Sequence, residues 1–185
     1  MRRTLSLLAS SLLIAPGSAL ADGWSLLPVT SSDYEAAPTV AALGGMQDPD
    51  VSGVDAGGAF GVELSLSCPT LAPPQGRIRQ QISLTRFDND GLELTSFELN
   101  PHYLVDLGAG LAVGAGPGFG YVSADSGADS DGVLALQAGV SLHYRKGPLF
   151  LGAEARYQWT QEADLGGDDT DLANSRLLGK VGWNF

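Results

Sequence analysis

Apolar and polar residues alternate with a period of two along seven stretches of the chain. In the first stretch, residues 60–68, phenylalanine, valine, leucine and cysteine alternate with glycine, glutamate and serine. The other stretches cover residues 78–84, 97–105, 111–121, 134–144, 149–159 and 177–185. Because successive side chains of a β-strand point to opposite faces, each stretch predicts a strand with one apolar and one polar face. Repeated segments of about ten residues with this alternation are typical of membrane-spanning β-strands.

A membrane-spanning sheet must close on itself, because an open edge would leave backbone hydrogen-bonding groups unpaired in lipid. Single-chain barrels of the bacterial outer membrane normally have an even number of strands. The seven stretches therefore require an eighth strand before Gly57, and residues 37–47, "APTVAALGGMQ", are the best candidate despite their poor alternation. The sequence thus predicts an all-β fold, a closed antiparallel eight-stranded transmembrane β-barrel over residues 37–185.

The lengths of the connections between the strands predict the orientation of the barrel. If the C-terminus lies in the periplasm, the connections 123–132 and 161–175 lie outside the cell, and both are long. On the same count, the tight turns 106–110 and 145–148 lie in the periplasm. Short periplasmic turns and longer external loops are the usual arrangement in such barrels, so the connection lengths agree with the strand assignments.

The first residues have the layout of a secretory signal peptide. Two arginines at positions 2 and 3 precede a short apolar run, and a small-residue cleavage motif follows at 19–21. We therefore expect residues 1–21 to be a signal peptide and residues 22–36 to form an irregular N-terminal segment before the barrel. Loss of the two arginines changes the net charge from −11 to −13. No nucleic acid is expected as a partner of so acidic a chain, because phosphate binding requires a basic face.

The last strand ends in "KVGWNF", in which Val181, Trp183 and Phe185 share the apolar face. Aromatic rings favour the boundary between membrane and water. A final strand of alternating apolar residues with a C-terminal phenylalanine resembles the assembly signal of bacterial outer-membrane β-barrels. Together with the signal peptide and the chain length, this pattern resembles the small eight-stranded OmpA/OmpX-like barrel superfamily. The resemblance implies a location in the cell outer membrane of a Gram-negative envelope, with outer-membrane lipids and the barrel-assembly machinery as partners.

Charged residues on the polar face of the strands are predicted to point into the lumen. An eight-stranded barrel is just wide enough to be filled by side chains, and charges enclosed in such an interior must be paired. We therefore predict a network of salt bridges that closes the lumen. Its members are Glu63, Arg77, Arg79, Glu98, Glu154, Arg156, Arg176 and Lys180. The alternative function, a narrow channel or small-molecule conduit, would require a wider or bent lumen.

A lipid A-modifying hydrolase is a less favoured alternative. Ser141 and His143 share a predicted face and Glu154 lies on the next strand, which supplies a nucleophile, a base and an orienting acid if the three come within hydrogen-bond reach. Such enzymes act on lipid from the outer surface, whereas this set is lumenal, and no family motif surrounds it. We expect no enzymatic activity.

The predicted external loops are rich in acidic residues. Oxygen-rich loops can hold calcium, but "DNDGLE" at 88–93 lacks the later glutamate of a calcium loop, and acidic glycine-rich loops are most often solvated. We expect no cofactor and no metal site. A structural or surface-interaction role is predicted for these loops, with a surface ligand as partner. The acids are Asp125, Asp129 and Asp131 in one loop, and Glu162, Asp164, Asp168, Asp169 and Asp171 in the next.

Overall fold

A computed structural model describes residues 23–127, 129–166 and 169–185, so the predicted signal peptide lies outside the described residues. Eight long strands form a closed barrel in which every neighbouring pair is antiparallel. This arrangement confirms the predicted fold class. The strands are β1 (Thr39–Pro49), β2 (Gly57–Ser67), β3 (Arg77–Asn89), β4 (Leu92–Gly108), β5 (Leu111–Asp125), β6 (Ser130–Lys146), β7 (Leu149–Thr160) and β8 (Asn174–Asn184).

The barrel is closed by the pairing of its first and last strands. β8 pairs with β1 along its whole length, so that Asn174 lies opposite Pro49 and Asn184 lies opposite Thr39. The remaining strands pair in chain order. The eighth strand, which the sequence placed at residues 37–47, is therefore β1. Its alternation is weak because its alanine and glycine residues differ little in polarity from one face to the other.

The outer wall of the barrel is apolar, as the alternation predicts. Phe60, Leu136 and Leu177, from three different strands, are 60%, 68% and 63% exposed, respectively. Exposure of a continuous belt of such side chains to water is unfavourable. Exposure of the same belt to the hydrocarbon of a bilayer carries no such cost. The belt is therefore the membrane-facing surface. In the part of the chain that the structure describes, no helix has the length and apolar character needed to cross a bilayer.

Apolar side chains fill the end of the lumen that the loop lengths place outside the cell, which the alternation had not indicated. Two short strands in the last external loop, Glu162–Asp164 and Asp169–Asp171, form a hairpin that closes over this filling. We call the buried set the apolar plug. It comprises Leu43, Ala59, Phe87, Leu92, Leu94, Val122, Ala124, Val133, Ala135, Ala163, Leu172 and Leu178.

The segment before the barrel packs against the periplasmic turn between β2 and β3. Ser25–Leu26 pairs with Leu71–Ala72, and Pro28–Thr30 forms a single 3₁₀ turn. The hydroxyl of Tyr34 donates a hydrogen bond to the carbonyl oxygen of Ser67 at 2.7 Å. The N-terminal segment is thus held at the periplasmic end of the barrel.

Inward-facing glycines on β5 make room for the enclosed side chains of the lumen. Glycine occupies positions 114, 116, 118 and 120, which alternate with outward-facing residues. A Cβ atom on Gly116 would overlap the carbonyl oxygen of Pro101 on β4, and one on Gly118 would overlap the side chain of Asn100. The glycines are therefore required by close packing on the inner side of β5.

We expect Gly116→Ala to lower the free energy of unfolding by about 1–3 kcal/mol, because the added methyl group overpacks a rigid backbone contact. Gly44→Ala on the outer wall is the matched control, since a Cβ atom there meets nothing within 4 Å, and it should be neutral or slightly stabilising. Urea unfolding from lipid vesicles, followed by tryptophan fluorescence, measures both effects. Equal destabilisation by the two substitutions would contradict the packing role of Gly116.

Candidate functional site

An ion-pair network fills the middle of the lumen, and Glu98 on β4 is its centre. Arg156 Nη1, from β7, lies 2.5 Å from Glu98 Oε2, and the guanidinium of Arg176, from β8, pairs with Glu98 Oε1. Gln158 Nε2 donates a further hydrogen bond to Glu98 Oε1 at 3.1 Å. The side chain of Glu98 is only 1% exposed, so its charge is neutralised by these neighbours and not by water.

A second group of charges lies on the periplasmic side of Glu98. Lys180 Nζ lies 2.5 Å from Glu63 Oε2 and 2.8 Å from Glu154 Oε2. Arg156 also pairs with Glu154, and it therefore joins the two groups into one network. The network contains three carboxylates and three cations, so it is electrically balanced.

Uncharged polar side chains complete the hydrogen bonding of the network. Arg176 donates to Gln137 Oε1 at 3.0 Å and to Thr85 Oγ1 at 3.1 Å, and Ser83 donates to Glu98 Oε2 at 3.2 Å. Burial of an ion pair is tolerated only when further hydrogen bonds satisfy the remaining donors and acceptors. The sequence does not point to these residues, because an uncharged polar residue at an inward position has no distinctive pattern.

Two of the predicted network members, Arg77 and Arg79, lie elsewhere. Arg77 stands at the periplasmic mouth and pairs with Asp106 at 2.6 Å, with side chains 34% and 57% exposed. Arg79 is enclosed, but it donates to neutral acceptors, the carbonyl oxygens of Ala37 at 2.7 Å and Ser65 at 2.8 Å. Both arginines belong to the inward register of β3, yet they lie too close to the periplasmic end of that strand to reach the network.

Ser141 and Glu154 lie opposite each other on β6 and β7, but no hydrogen bond joins Ser141, His143 and Glu154 in the described structure. Ser141 Oγ lies 2.9 Å from Nδ1 of His102 on β4. His143 instead packs edge-on against Phe150, with ring centroids 5.3 Å apart, and Glu154 is engaged in the ion-pair network. Ser141 and its histidine partner are both buried, so this pair is enclosed by the barrel.

The terminal apolar residues project from the outer wall at the periplasmic end of β8. Val181, Trp183 and Phe185 are 55%, 54% and 75% exposed. The backbone N–H of Phe185 donates to the carbonyl oxygen of Pro38 at 3.0 Å, so the last residue takes part in closing the barrel. The assembly role of these residues stays a prediction.

A hydrogen-bonded aspartate links two of the acidic external loops. Asp131 accepts from the backbone N–H of Asp164 at 2.9 Å and from that of Gly132 at 2.7 Å. These two donors lower the pKa of Asp131 below its usual value. The link therefore holds at neutral pH and weakens as the pH falls through that lowered pKa. Asp168, in the same loop as Asp164, lies outside the described residues.

No group of three or more His, Cys, Asp or Glu side chains is placed to hold a metal ion within residues 23–127, 129–166 and 169–185. Asp129, Asp131 and Asp164 nevertheless line one pocket between the external loops.

The chain matches no protein-family model and no curated protein, but it resembles solved structures. Neisserial surface protein A (NspA) matches with a TM-score of 0.58 and 18% identity, over 80% of this chain and 97% of that protein. Ail, the attachment invasion locus protein of Yersinia pestis, matches with a TM-score of 0.54 and 12% identity, over 82% and 100% of the two chains. Ail in complex with the heparin analogue sucrose octasulfate gives 0.53 at 12% identity over the same shares.

At these identities the likeness establishes a shared fold. The chain has the fold of small outer-membrane barrels, which the terminal "GWNF" pattern had indicated. Its apolar outer wall is the surface that such a fold presents to lipid. The protein is therefore an eight-stranded β-barrel of the cell outer membrane.

Arg156→Ala should lower the free energy of unfolding by about 3–5 kcal/mol, because it leaves Glu98 and Glu154 enclosed with too few cations. Arg86→Ala is the control, because Arg86 pairs with Glu93 at 2.5 Å with side chains 47% and 34% exposed. Exposed pairs are worth less than about 1 kcal/mol. Urea unfolding from vesicles measures both variants. A larger loss for Arg86→Ala would refute the enclosure of Arg156.

Deletion of Phe185 should impair assembly more than stability. The deletion removes one backbone hydrogen bond and one aromatic ring at the membrane boundary, so the refolded barrel should lose about 1–3 kcal/mol of unfolding free energy and remain folded. The amount of heat-modifiable barrel in the outer-membrane fraction should nevertheless fall severalfold. Phe60→Ala, which truncates another exposed phenylalanine of the outer wall, should leave that amount close to the wild-type level. Normal outer-membrane levels of the truncated chain would show that Phe185 is not an assembly signal.

Proposed function

We propose that the protein is a structural and surface-interaction barrel that binds its ligand through the acidic external loops. The filled interior supports this proposal: the apolar plug occupies the external end of the lumen, and the ion-pair network occupies the middle. Because side chains fill both the external end and the middle of the lumen, a partner outside the cell can contact the loops but not the interior of the barrel.

The charge of the loops indicates the class of partner. In the external part of the described chain, Arg86 is the one lysine or arginine, and it is already paired with Glu93. A surface of this charge attracts cationic ligands and repels polyanions. The proposed ligand is therefore a basic segment of a peptide or protein. The described acids that would meet it are Asp55, Asp90, Asp125, Asp129, Asp131, Asp164, Asp169 and Asp171.

Hydrogen bonds between loops support a prepared binding surface. The backbone N–H of Asp55 donates to Asp90 Oδ2 at 2.9 Å, and Asn89 Nδ2 donates to the carbonyl oxygen of Asp55 at 3.0 Å. The first two external connections are thus tied together, as Asp131 ties the later two. Loops that are ordered before binding lose less conformational entropy when a ligand binds.

The ligand class differs from that of one structural neighbour. Ail was solved with sucrose octasulfate, a heparin analogue, and sulfate groups are anionic. The acidic loops of this chain favour a ligand of the opposite charge. The shared barrel therefore supports a shared location in the membrane, and the loops support a separate specificity.

The two alternative functions receive less support. A channel requires a continuous path, whereas side chains occupy both the external and the middle levels of the lumen. A lipid-modifying hydrolase requires a nucleophile that lipid can reach, whereas Ser141 is enclosed with His102. We therefore propose no enzymatic activity. Outer-membrane lipids would contact the apolar belt, and the barrel-assembly machinery would act on the last strand.

Binding of a fluorescent oligolysine peptide to the purified barrel in nonionic detergent tests this proposal. We expect saturable binding that weakens as salt is added, and no binding of heparin. Asp129→Asn combined with Asp169→Asn should weaken the binding severalfold, since both residues are exposed in the external loops. The control with the same loss of charge is Asp33→Asn combined with Glu35→Gln, in the periplasmic segment. An equal loss from the control pair, or tighter binding of heparin than of oligolysine, would refute the proposal.

A further inference from the structure

The periplasmic mouth of the lumen carries an excess of positive charge. Arg77, Arg79 and Arg145 reach it from the inward register of β3 and β6, and we call them the inner-mouth arginines. Asp106 is the one carboxylate that forms an ion pair with any of them among the described residues. These three arginines and Asp106 together carry a net charge of +2, whereas the ion-pair network above them is balanced.

The deepest of these arginines is held by neutral groups. Nη2 of Arg79 donates to Thr39 Oγ1 at 3.1 Å and to Ser65 Oγ at 3.0 Å, as well as to the carbonyl oxygen of Ser65, and Nη1 donates to that of Ala37. These bonds fix the guanidinium but leave its charge uncompensated.

Arg145 has a defined position and unused hydrogen-bond donors. Its backbone N–H donates to the carbonyl oxygen of Gly110 at 2.9 Å, and its guanidinium lies 5.9 Å from the ring centroid of Phe150. Nε and Nη2 of Arg145 have no hydrogen-bond partner within the described residues, and neither has Nε of Arg77 or Arg79. Hydrogen-bond donors that are buried without a partner cost free energy. An acceptor that binds at the mouth would therefore be stabilised by these unpaired N–H groups.

Internal acids do not supply that acceptor. Asp106 is already committed to Arg77. Asp33 and Glu35 lie in the N-terminal segment at the same end of the barrel, but neither forms an ion pair with an inner-mouth arginine in the described structure. The closed sheet also limits how far the strands that carry the arginines can move apart. The arginines therefore keep their positions at the rim of the lumen, and the partly exposed side chain of Arg77 connects them to the periplasm.

We propose that the inner-mouth arginines form a binding site for a phosphate group, supplied by the headgroup of an inner-leaflet glycerophospholipid or by a soluble phosphate of the periplasm. Guanidinium groups match phosphate oxygens in geometry and charge. A tetrahedral anion presents oxygens in several directions, so it can accept from arginines on two strands at once. A soluble phosphate monoester carries about −1.5 to −2 and a lipid phosphodiester carries one negative charge, so either would reduce the positive charge of the arginines.

Calorimetric titration of the purified full barrel in nonionic detergent tests the site with two probes at constant ionic strength. The probes are inorganic phosphate and dihexanoyl phosphatidylglycerol below its micellar concentration. Binding of phosphate alone would identify a soluble phosphate as the source, and binding of the phosphatidylglycerol alone would identify the lipid headgroup. Binding of both would assign the site to the shared phosphate chemistry, and binding of neither would overturn the proposal.

Three variants connect the binding to the arginines. Arg145→Gln should weaken it at least about tenfold, because a charge-assisted hydrogen bond is lost. Lys146→Gln, one residue further along and exposed, should change it by less than about twofold, since its side chain points to the opposite face of β6, away from the lumen. Equal losses from the two would overturn the site.

The third variant does not depend on how well Arg145→Gln folds. Asp106→Asn removes the competing carboxylate from Arg77, so it should tighten the binding of the probe severalfold. A damaged barrel would bind less tightly, and so a gain in affinity separates the site from a folding defect. Unchanged or weaker binding to Asp106→Asn would overturn the proposal.

Discussion

Enclosure of charge in a narrow lumen is the constraint on which the rest of the structure depends. Water does not reach a carboxylate such as Glu98, so its countercharges must come from the protein. Arg156 on β7 and Arg176 on β8 therefore have to stand at the same height as Glu98 on β4. This requirement fixes three strands relative to one another, and the glycines of β5 leave the space in which the side chains cross the lumen.

The same network limits the register of the sheet. Because side chains alternate with a period of two, a slip by one residue would turn every inward side chain of a strand outward. For β8, such a slip would place Arg176 and Lys180 against hydrocarbon and Leu177 inside the lumen. We infer that the buried charges contribute mainly to the choice of one register, since ion pairs removed from water add little net stability.

The sequence predicted the faces of the strands well and their depth poorly. Alternation tells on which face Phe87 or Arg79 lies, but not at which level of the barrel, so neither the apolar plug nor the neutral acceptors of Arg79 could be predicted. The contact between Ser141 on β6 and His102 on β4 was also hidden. These strands are not neighbours, and the contact depends on the small inward residues of β5 between them. β1 was hard to locate because its alanines and glycines hardly differ between the two faces.

The seam between β8 and β1 has a consequence for the folding reaction. Thr39 Oγ1 donates to Asn184 Oδ1 at 2.8 Å across 145 residues, whereas every other barrel strand pairs with the next barrel strand in the chain. The entropy lost on closing a loop rises with its length, and long-range contacts slow folding. Until the seam forms, β1 and β8 each present an unpaired edge that can pair with another chain. The step of folding that is slowest and most open to pairing with another chain is therefore the contact between β1 and β8.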